Sequence, residues 1–161
     1  MEMDNDHHID EAMMKLEVNL DDTPGEWLGY VMEELFDYGA NDVYYIPIYM
    51  KKNRPGVMLT VLCRKEKQEE MKRIILNETT TLGIRYYPLT VERHTRRYET
   101  VTTRFGAVTV KQGIKDGHVF QQSPEYEECR RIAKKEGIPL KSVYQEVWQA
   151  MNPYEGGNNN E

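Results

Sequence analysis

The order of strand and helix patterns over residues 14 to 92 is the feature that most limits how this chain of 161 residues can fold. Apolar and polar side chains alternate over residues 14 to 20, which predicts a half-buried strand. Residues 23 to 26, Thr-Pro-Gly-Glu, have the spacing of a capping box with proline at the first helical position. A helix is therefore predicted to begin there and to end at Gly39, which favours a left-handed C-cap. Its predicted buried residues are Trp27, Leu28, Val31, Met32, Leu35 and Phe36.

Two strands, a helix and a fourth strand follow. The segments DVYYIPIYM and GVMLTVLCR are predicted strands joined by KKNRPG. KEKQEEMKRIILNET is typical of a helix, and GIRYYPLTVE is typical of a strand. The resulting order, β-α-β-β-α-β, is that of a ferredoxin-like split βαβ unit. We therefore predict a four-stranded antiparallel sheet with both helices on one face.

The pattern changes from residue 97 onward. Three short strands are predicted over residues 97 to 122, with turns at residues 104 to 106 and at Asp116-Gly117. Ser123-Pro124 opens a predicted helix that runs to Gly137, and a second helix follows Pro139. The fold class is therefore α+β, a ferredoxin-like βαββαβ unit followed by a small β-meander with a helical hairpin.

The predicted organisation has four parts. They are a disordered tail over residues 1–12, a ferredoxin-like subdomain over 13–94, a β-meander with a helical hairpin over 95–152, and a disordered tail over 153–161. A subdomain as small as the third part needs a neighbour, so we expect it to pack on the first subdomain or on another subunit. The His7-His8 pair in the first tail suits either loose metal binding or a solvated segment.

Charge is distributed unevenly along the chain. The net charge is −6, with 27 acidic residues, but seven of these lie in residues 1–11 and 153–161, which contain no lysine or arginine. Residues 46 to 111 hold 14 cations against six acids. Such a basic surface suits an anion such as a nucleotide or a phosphate, although solvated faces of helices and strands produce similar asymmetry.

Composition also excludes several classes of protein. The sequence has no apolar run of 18 residues and no basic-then-apolar amino-terminal segment, so no membrane span or secretory signal is predicted and we expect a cytoplasmic protein. Cys63 and Cys129 lack a CxxC spacing, which favours buried thiols over a disulfide or a metal pair. None of the familiar catalytic or nucleotide-binding motifs is present.

Polar residues at the ends of the predicted elements are the candidates for a binding site. Lys51, Lys52 and Arg54 lie on the hairpin and combine point charges with a forked guanidinium, which suits a polyphosphate. A plain exposed turn explains them equally well. Thr79, Thr80 and Thr81 at a helix end are poor helix formers, and with Arg85 they suit a phosphate or a ribose, or a simple loop that approaches a strand.

Acidic residues at the start of the third predicted helix have two interpretations. Glu125 and Glu127 lie in the first helical turn, where carboxylates stabilise a helix by interacting with its dipole and need no further role. They also suit the divalent cation that accompanies a triphosphate. Asp21-Asp22, after the first strand, has the same two interpretations.

Four motifs, in this order, carry a family resemblance. VNLDD, IYMKKNRPGVMLTVLC, ETTTLGIR and PEYEECRRIAKKEGIPLKSVY resemble the carboxy-terminal part of the nickel insertion proteins, from about residue 14 to residue 148. The family consists of CTP-dependent cyclometallases, nickel chelatases of the lyase class, that complete the nickel-pincer nucleotide cofactor of lactate racemase. The resemblance implies insertion of nickel into pyridinium-3,5-bisthiocarboxylic acid mononucleotide, with CTP and Mg²⁺ or Mn²⁺ bound by this part, and assembly into a trimer or hexamer.

The resemblance also implies roles for the matched residues. Lys51, Lys52 and Arg54 would contact the triphosphate of CTP, and Thr79, Thr80, Thr81 and Arg85 would complete the pocket. Glu125 or Glu127 would help to place the divalent metal. Because the histidine-rich amino-terminal part of the family has no counterpart here, a separate amino-terminal part is expected for full activity.

Two functions of other classes compete with this one. An assembly domain without its own nucleotide specificity would form an oligomer and show no preference for CTP. An RNA-binding module of ferredoxin-like architecture should carry aromatic residues on its third strand. GVMLTVLCR has none, so we expect no nucleic-acid partner.

Overall fold

The computed structural model describes residues 7–152, which form two compact units. The first unit is residues 9–92, and the second is residues 93–152 together with residues 7 and 8. The predicted tails over residues 1–6 and 153–161 lie outside the described residues. Within the described part, no helix is both long and apolar enough to cross a membrane.

Four strands and two helices build the first unit. They are β1 (His7–Leu20), α1 (Gly25–Asp37), β2 (Asp42–Met50), β3 (Arg54–Arg64), α2 (Gln68–Glu78) and β4 (Arg85–Thr103), of which β1 and β4 also reach into the second unit. The strand order is β2-β3-β1-β4, and β3 pairs antiparallel with both of its neighbours. Since this is the order of a split βαβ sheet, the predicted ferredoxin-like unit is confirmed.

Alternation along β1 and β3 forms the core of the first unit. Leu16 pairs with Val61 and Val18 with Leu59, and all four side chains are buried. Val31 and Leu35 of α1 and Met71, Ile74 and Ile75 of α2 complete this core. Trp27 and Phe36 were predicted to be buried but are 49% and 44% exposed, because they flank the stripe of α1 that faces the sheet.

The capping-box prediction for α1 is wrong. The helix begins at Gly25 with Pro24 at the N-cap position, and no side chain caps it. The Thr23 hydroxyl hydrogen bonds to Thr80 instead. The predicted end is confirmed, because Gly39 has φ 103° and the N–H of Ala40 donates to the carbonyl of Leu35 as in a Schellman motif.

The first strand begins earlier than predicted. β1 starts at His7, so residues 7–12 do not belong to a disordered tail. Their sequence does not predict a strand because the inward-facing position is acidic. This residue, Asp10, is only 4% exposed, and its carboxylate lies 3.5 Å from the guanidinium of Arg64. A second difference concerns β4, which continues through residues 93–96 as one strand of 19 residues where two strands were predicted.

The second unit contains the predicted meander and helical hairpin. Residues 93–103 of β4 are followed by β5 (Gly106–Lys115), β6 (His118–Pro124), α3 (Tyr126–Glu136) and α4 (Leu140–Met151). The three strands are antiparallel neighbours. Its core consists of Val101, Val108, Val110, Cys129, Ile132, Val143 and Val147. The α3 helix begins at Tyr126 and not at Pro124, because β6 extends through Pro124.

Both cysteines are buried free thiols, as predicted. Cys63 belongs to the core of the first unit and Cys129 to the core of the second. Burial raises the pKa of the Cys63 thiol to about 11 and also raises the pKa of Cys129. Neither thiol is therefore a reactive thiolate at neutral pH.

Replacement of Gly56 by alanine should lower the free energy of unfolding by roughly 1 to 3 kcal/mol, the range for overpacking. A Cβ atom at Gly56 would lie 2.6 Å from the carbonyl oxygen of Leu20, so β1 and β3 would have to separate. Urea unfolding measures the change. Gly29→Ala is the matched control, because a Cβ at this helical position meets nothing within 4 Å. The control should raise stability by up to about 1 kcal/mol, and equal effects of the two changes would contradict the argument.

Candidate functional site

Three loops of the first unit lie at the same end of its sheet, where β1 ends and β3 and β4 begin. They are residues 21–24 after β1, residues 51–53 between β2 and β3, and residues 79–84 between α2 and β4. Leu20 at the end of β1 pairs with Val57 near the start of β3, which places the first two loops side by side. The sheet order therefore collects segments that are far apart in the sequence.

A hydroxyl network joins the threonine loop to the end of β1. The Thr80 hydroxyl donates to the carboxylate of Asp22 over 2.5 Å, and its oxygen lies 2.6 Å from the Thr23 hydroxyl oxygen. Each hydroxyl has one proton, so Thr23 is the donor in the second bond. The backbone N–H of Thr80 in turn donates to the Thr23 oxygen over 3.4 Å. Thr23 and Asp22 therefore position the middle threonine.

The two flanking threonines hold the shape of their own loop. The Thr79 hydroxyl donates to the carbonyl of Ile75 over 2.7 Å, which satisfies a carbonyl at the end of α2. The Thr81 hydroxyl donates to the carbonyl of Gly83 over 2.9 Å. All three hydroxyls are thus engaged locally, and a ligand would compete with these bonds.

The hairpin between β2 and β3 carries exposed positive charge. Lys51 and Lys52 are exposed, and within residues 7–152 neither ammonium group makes an ion pair or a hydrogen bond. Lys52 and Asn53 both adopt a left-handed conformation, with φ 62° and 56°, which makes the turn tight. Arg54 lies 3.5 Å from the carboxylate of Asp21 and is 56% exposed. Two ammonium groups and one weakly paired guanidinium are therefore available to an anion.

Arg85 belongs to a different set of contacts. Its guanidinium donates to the side-chain oxygen of Asn19 over 2.8 Å and lies 4.0 Å from the carboxylate of Glu17. Asn19 and Glu17 alternate with the buried residues of β1, so they lie on the face of the sheet opposite the helices. The structure therefore places Arg85 on this open face of the sheet, where it contacts Asn19 and Glu17 and not the threonines.

Glu17 is the centre of that polar cluster on the open face. Its carboxylate accepts from the Lys15 ammonium over 3.0 Å and from the Tyr87 hydroxyl over 3.1 Å. The hydrogen bond from Lys15, with further help from Tyr87 and Arg85, holds the pKa of Glu17 below its usual value despite partial burial. The same bond raises the pKa of Lys15, so both groups are charged at neutral pH.

The predicted metal ligands Glu125 and Glu127 lie in the second unit, at the start of α3. The backbone N–H of Glu125 donates to the carbonyl of Thr109 over 2.8 Å, and the carboxylate of Glu127 pairs with Arg130 over 3.1 Å. Their neighbour Glu128 accepts from both the N–H and the hydroxyl of Thr109, over 2.6 and 3.1 Å. Among the described residues, no three His, Cys, Asp or Glu side chains are grouped so that they could hold a metal ion.

Sequence reasoning missed the role of Asp22 and Thr23 in positioning Thr80. The Thr-Pro-Gly-Glu spacing pointed to a cap within the helix, and nothing in that spacing indicates a partner on a distant loop. The available signal was the presence of two polar segments, Asp-Asp-Thr and Thr-Thr-Thr. The ferredoxin-like order of elements brings them to the same end of the sheet.

A family model described as nickel insertion protein matches residues 2–144. The chain belongs to the nickel insertion protein family. Among curated members, the pyridinium-3,5-bisthiocarboxylic acid mononucleotide nickel insertion protein of Acetivibrio thermocellus is 48% identical over 154 residues, which are 94% of this chain and 37% of that protein. The protein of the same name from Thermotoga petrophila is 40% identical over 141 residues, 88% of this chain and 36% of its own length. The chain thus spans little more than a third of these family members.

Solved structures agree with this assignment. The domain LarC2 is described as the C-terminal domain of a cyclometallase involved in the synthesis of the NPN cofactor of lactate racemase, in its apo form. It is 39% identical to this chain, with a TM-score of 0.81, and the match covers 91% of this chain and 99% of that domain. A protein from Methanopyrus kandleri is 28% identical, with a TM-score of 0.66 and 90% coverage of both chains. This nickel insertion family member therefore has the fold of the carboxy-terminal domain.

Replacement of Glu17 by glutamine should lower the free energy of unfolding at pH 7, and this difference from wild type should shrink as the pH falls. The pKa of Glu17 is lowered in the folded state. Its stabilising effect is therefore present above the unfolded-state pKa and is lost as the pH falls through the folded-state pKa. Urea unfolding at pH 7 and at about pH 3 measures the difference.

Glu33→Gln, at an exposed position of α1, is the control for this change and should have little effect at either pH. A difference between Glu17→Gln and wild type that is the same at both pH values would contradict the role of the ionised carboxylate.

Proposed function

We propose that this chain is the CTP-binding and divalent-metal-binding part of a nickel chelatase of the lyase class. In this proposal the complete cyclometallase inserts nickel into pyridinium-3,5-bisthiocarboxylic acid mononucleotide to make the nickel-pincer nucleotide cofactor. The observation that carries the proposal is the hairpin at residues 51–54, where two ammonium groups without partners in the described chain lie beside a weakly paired guanidinium. The names of the relatives supply the substrate, and the hairpin supplies a place for a polyphosphate.

The charges of the hairpin match those of a nucleoside triphosphate. Lys51 and Lys52 would act as point charges on the terminal phosphates, because an ammonium group carries compact charge on a flexible stem. Arg54 would exchange its 3.5 Å contact with Asp21 for two parallel hydrogen bonds to phosphate oxygens. Charge neutralisation and positioning are the main contributions a protein makes to reactions of nucleotide phosphates.

The threonine loop would complete the pocket beside the hairpin. Thr80 is positioned by Asp22 and Thr23, and its hydroxyl would exchange its bond to Asp22 for a bond to the ligand. Thr79 and Thr81 would keep the loop in its present shape. Arg85 would contribute from the open face of the sheet, next to Asn19.

A divalent cation, Mg²⁺ or Mn²⁺, would accompany the triphosphate. We propose that Glu125 or Glu127 helps to place it, since carboxylate oxygens are the ligands that these ions prefer. The carboxylates that contact the hairpin and the threonine loop are Asp21 and Asp22, and they have the same chemistry. An experiment must therefore compare the two pairs of acids.

Full activity would need the part of the longer family members that this chain does not match, because it spans 37% and 36% of the two curated proteins described above. We further propose that the chain assembles into a trimer or a hexamer. Both statements extend the resemblance of the sequence to the cyclometallases.

Replacement of Lys51 or Arg54 by alanine should weaken CTP binding by roughly 1 to 3 kcal/mol each, the range for a hydrogen bond to a charged group. Calorimetric titration with CTP, and with ATP as comparator, in the presence of Mg²⁺ measures the effect. Lys115→Ala is the matched control, because Lys115 is an exposed lysine at the β5–β6 hairpin of the second unit.

The titration separates the competing functions. Metal-dependent binding that prefers CTP and is weakened in the Lys51 and Arg54 variants supports the proposal. Absence of binding for both nucleotides would leave an assembly domain, and equal affinities in wild type and both variants would remove the hairpin from the site.

Replacement of Glu125 or Glu127 by glutamine should remove most of the gain in CTP affinity that Mg²⁺ or Mn²⁺ produces, because the neutral amide is a weaker ligand for a hard cation. The same titration, with and without metal, measures this gain. Glu136→Gln at the far end of α3 is the control. A loss confined to Asp22→Asn would assign the cation to the loop after β1 instead.

A further inference from the structure

Two histidines that no step of the proposed function uses lie next to each other in the second unit. His7 begins β1 and His94 lies on β4. Their ring centroids are 6.2 Å apart and the ring planes are inclined by 51°. Both residues are half-buried, so neither is a fully solvated surface side chain.

One ring nitrogen of His94 has an unusual environment. Its Nδ1 atom is buried and has no hydrogen-bond partner among the described residues. Buried polar atoms in folded proteins are nearly always paired, so such an atom calls for a specific explanation. A neutral imidazole offers one nitrogen lone pair, which is a good ligand for a transition-metal ion.

A second aromatic ring holds His94 in place. The ring of Phe120 makes an edge contact with His94 at a centroid distance of 5.2 Å and an interplanar angle of 64°. Gly113 leaves the space for Phe120, because a Cβ atom there would lie 2.9 Å from that ring. The register shift between Gly113 and Ile114 belongs to the same region of β5. His94 is therefore oriented by packing, and His7 at the start of a strand is the more adjustable partner.

The separation of the two rings suits a shared metal ion. With metal–nitrogen bonds of about 2.0 to 2.1 Å, two imidazoles on one ion have centroids about 4.5 Å apart at a right angle and about 6.4 Å apart in line. The 6.2 Å observed lies within this interval. A tetrahedral angle requires about 5.2 Å, which a rotation of the His7 side chain would reach.

We propose that His7 and His94 form a two-imidazole site for a divalent transition-metal ion such as Ni²⁺. Imidazole nitrogen selects nickel, cobalt, zinc or copper over magnesium and calcium, so this site is chemically distinct from a Mg²⁺–triphosphate site. Two protein ligands would leave the remaining coordination positions to water or to an incoming ligand. The proposal does not depend on CTP binding.

The experiment is a calorimetric titration of the full chain with Ni²⁺ in the absence of nucleotide. His7→Ala and His94→Ala should each weaken Ni²⁺ binding at least about tenfold. His8→Ala is the matched control, because adjacent strand residues point to opposite faces of the sheet and His8 cannot share the ion with His94. His118→Ala, at the start of β6, is a second control. Both controls should bind Ni²⁺ with nearly wild-type affinity.

A spectroscopic measurement keeps the proposal testable if His94→Ala does not fold. Addition of diamagnetic Zn²⁺ to the wild-type protein should shift the imidazole NMR signals of His7 and His94 and leave those of His8 and His118 in place. Loss of Ni²⁺ binding in His8→Ala, equal affinity in all variants, or shifts limited to His8 would each overturn the proposal, because they would indicate chelation by a solvated histidine pair or by other groups.

Discussion

The antiparallel pairing of β1 with β3 is the interaction on which the first unit depends. It places Leu16 beside Val61 and Val18 beside Leu59, and the two helices cover this buried strip. The contact is close enough that Gly56 has room only for a hydrogen atom beside the Leu20 carbonyl. Because the pairing also sets which residues of β1 face the helices, it places Glu17 and Asn19 on the open face, where they hold Arg85.

The same pairing creates the candidate site. Once β1 and β3 are in register, the loop after β1 lies beside the β2–β3 hairpin. The strand order brings the threonine loop to the same end of the sheet. A hydrogen bond from Thr80 to Asp22 joins the threonine loop to the loop after β1. The lysines of the hairpin, in contrast, have no partners in the described chain. The positive charge of the hairpin is therefore the feature of this end of the sheet that suits an anionic ligand.

Much of the fold was predictable because its signals are local and periodic. Alternation in residues 14–20, the turn residues of the meander and Gly39 at the end of α1 all correspond to elements in the structure. The errors arise where a polar residue has a distant partner. Asp10 is a buried acid that pairs with Arg64, so the sequence of residues 7–12 does not have the pattern of a strand. Thr23 hydrogen bonds to Thr80 and does not cap its own helix.

The sequence by itself determined the βαββαβ order, the meander with its helical hairpin, the buried thiols and the family. These depend on side-chain periodicity and on motif order, which are properties of neighbouring residues. The tertiary structure alone decided that Thr80 binds Asp22, that Arg85 lies on the open face, and that His7 lies beside His94. Each of these contacts joins residues more than 50 positions apart, and a hydrogen bond or ring contact over such a separation leaves no periodic signal in the chain.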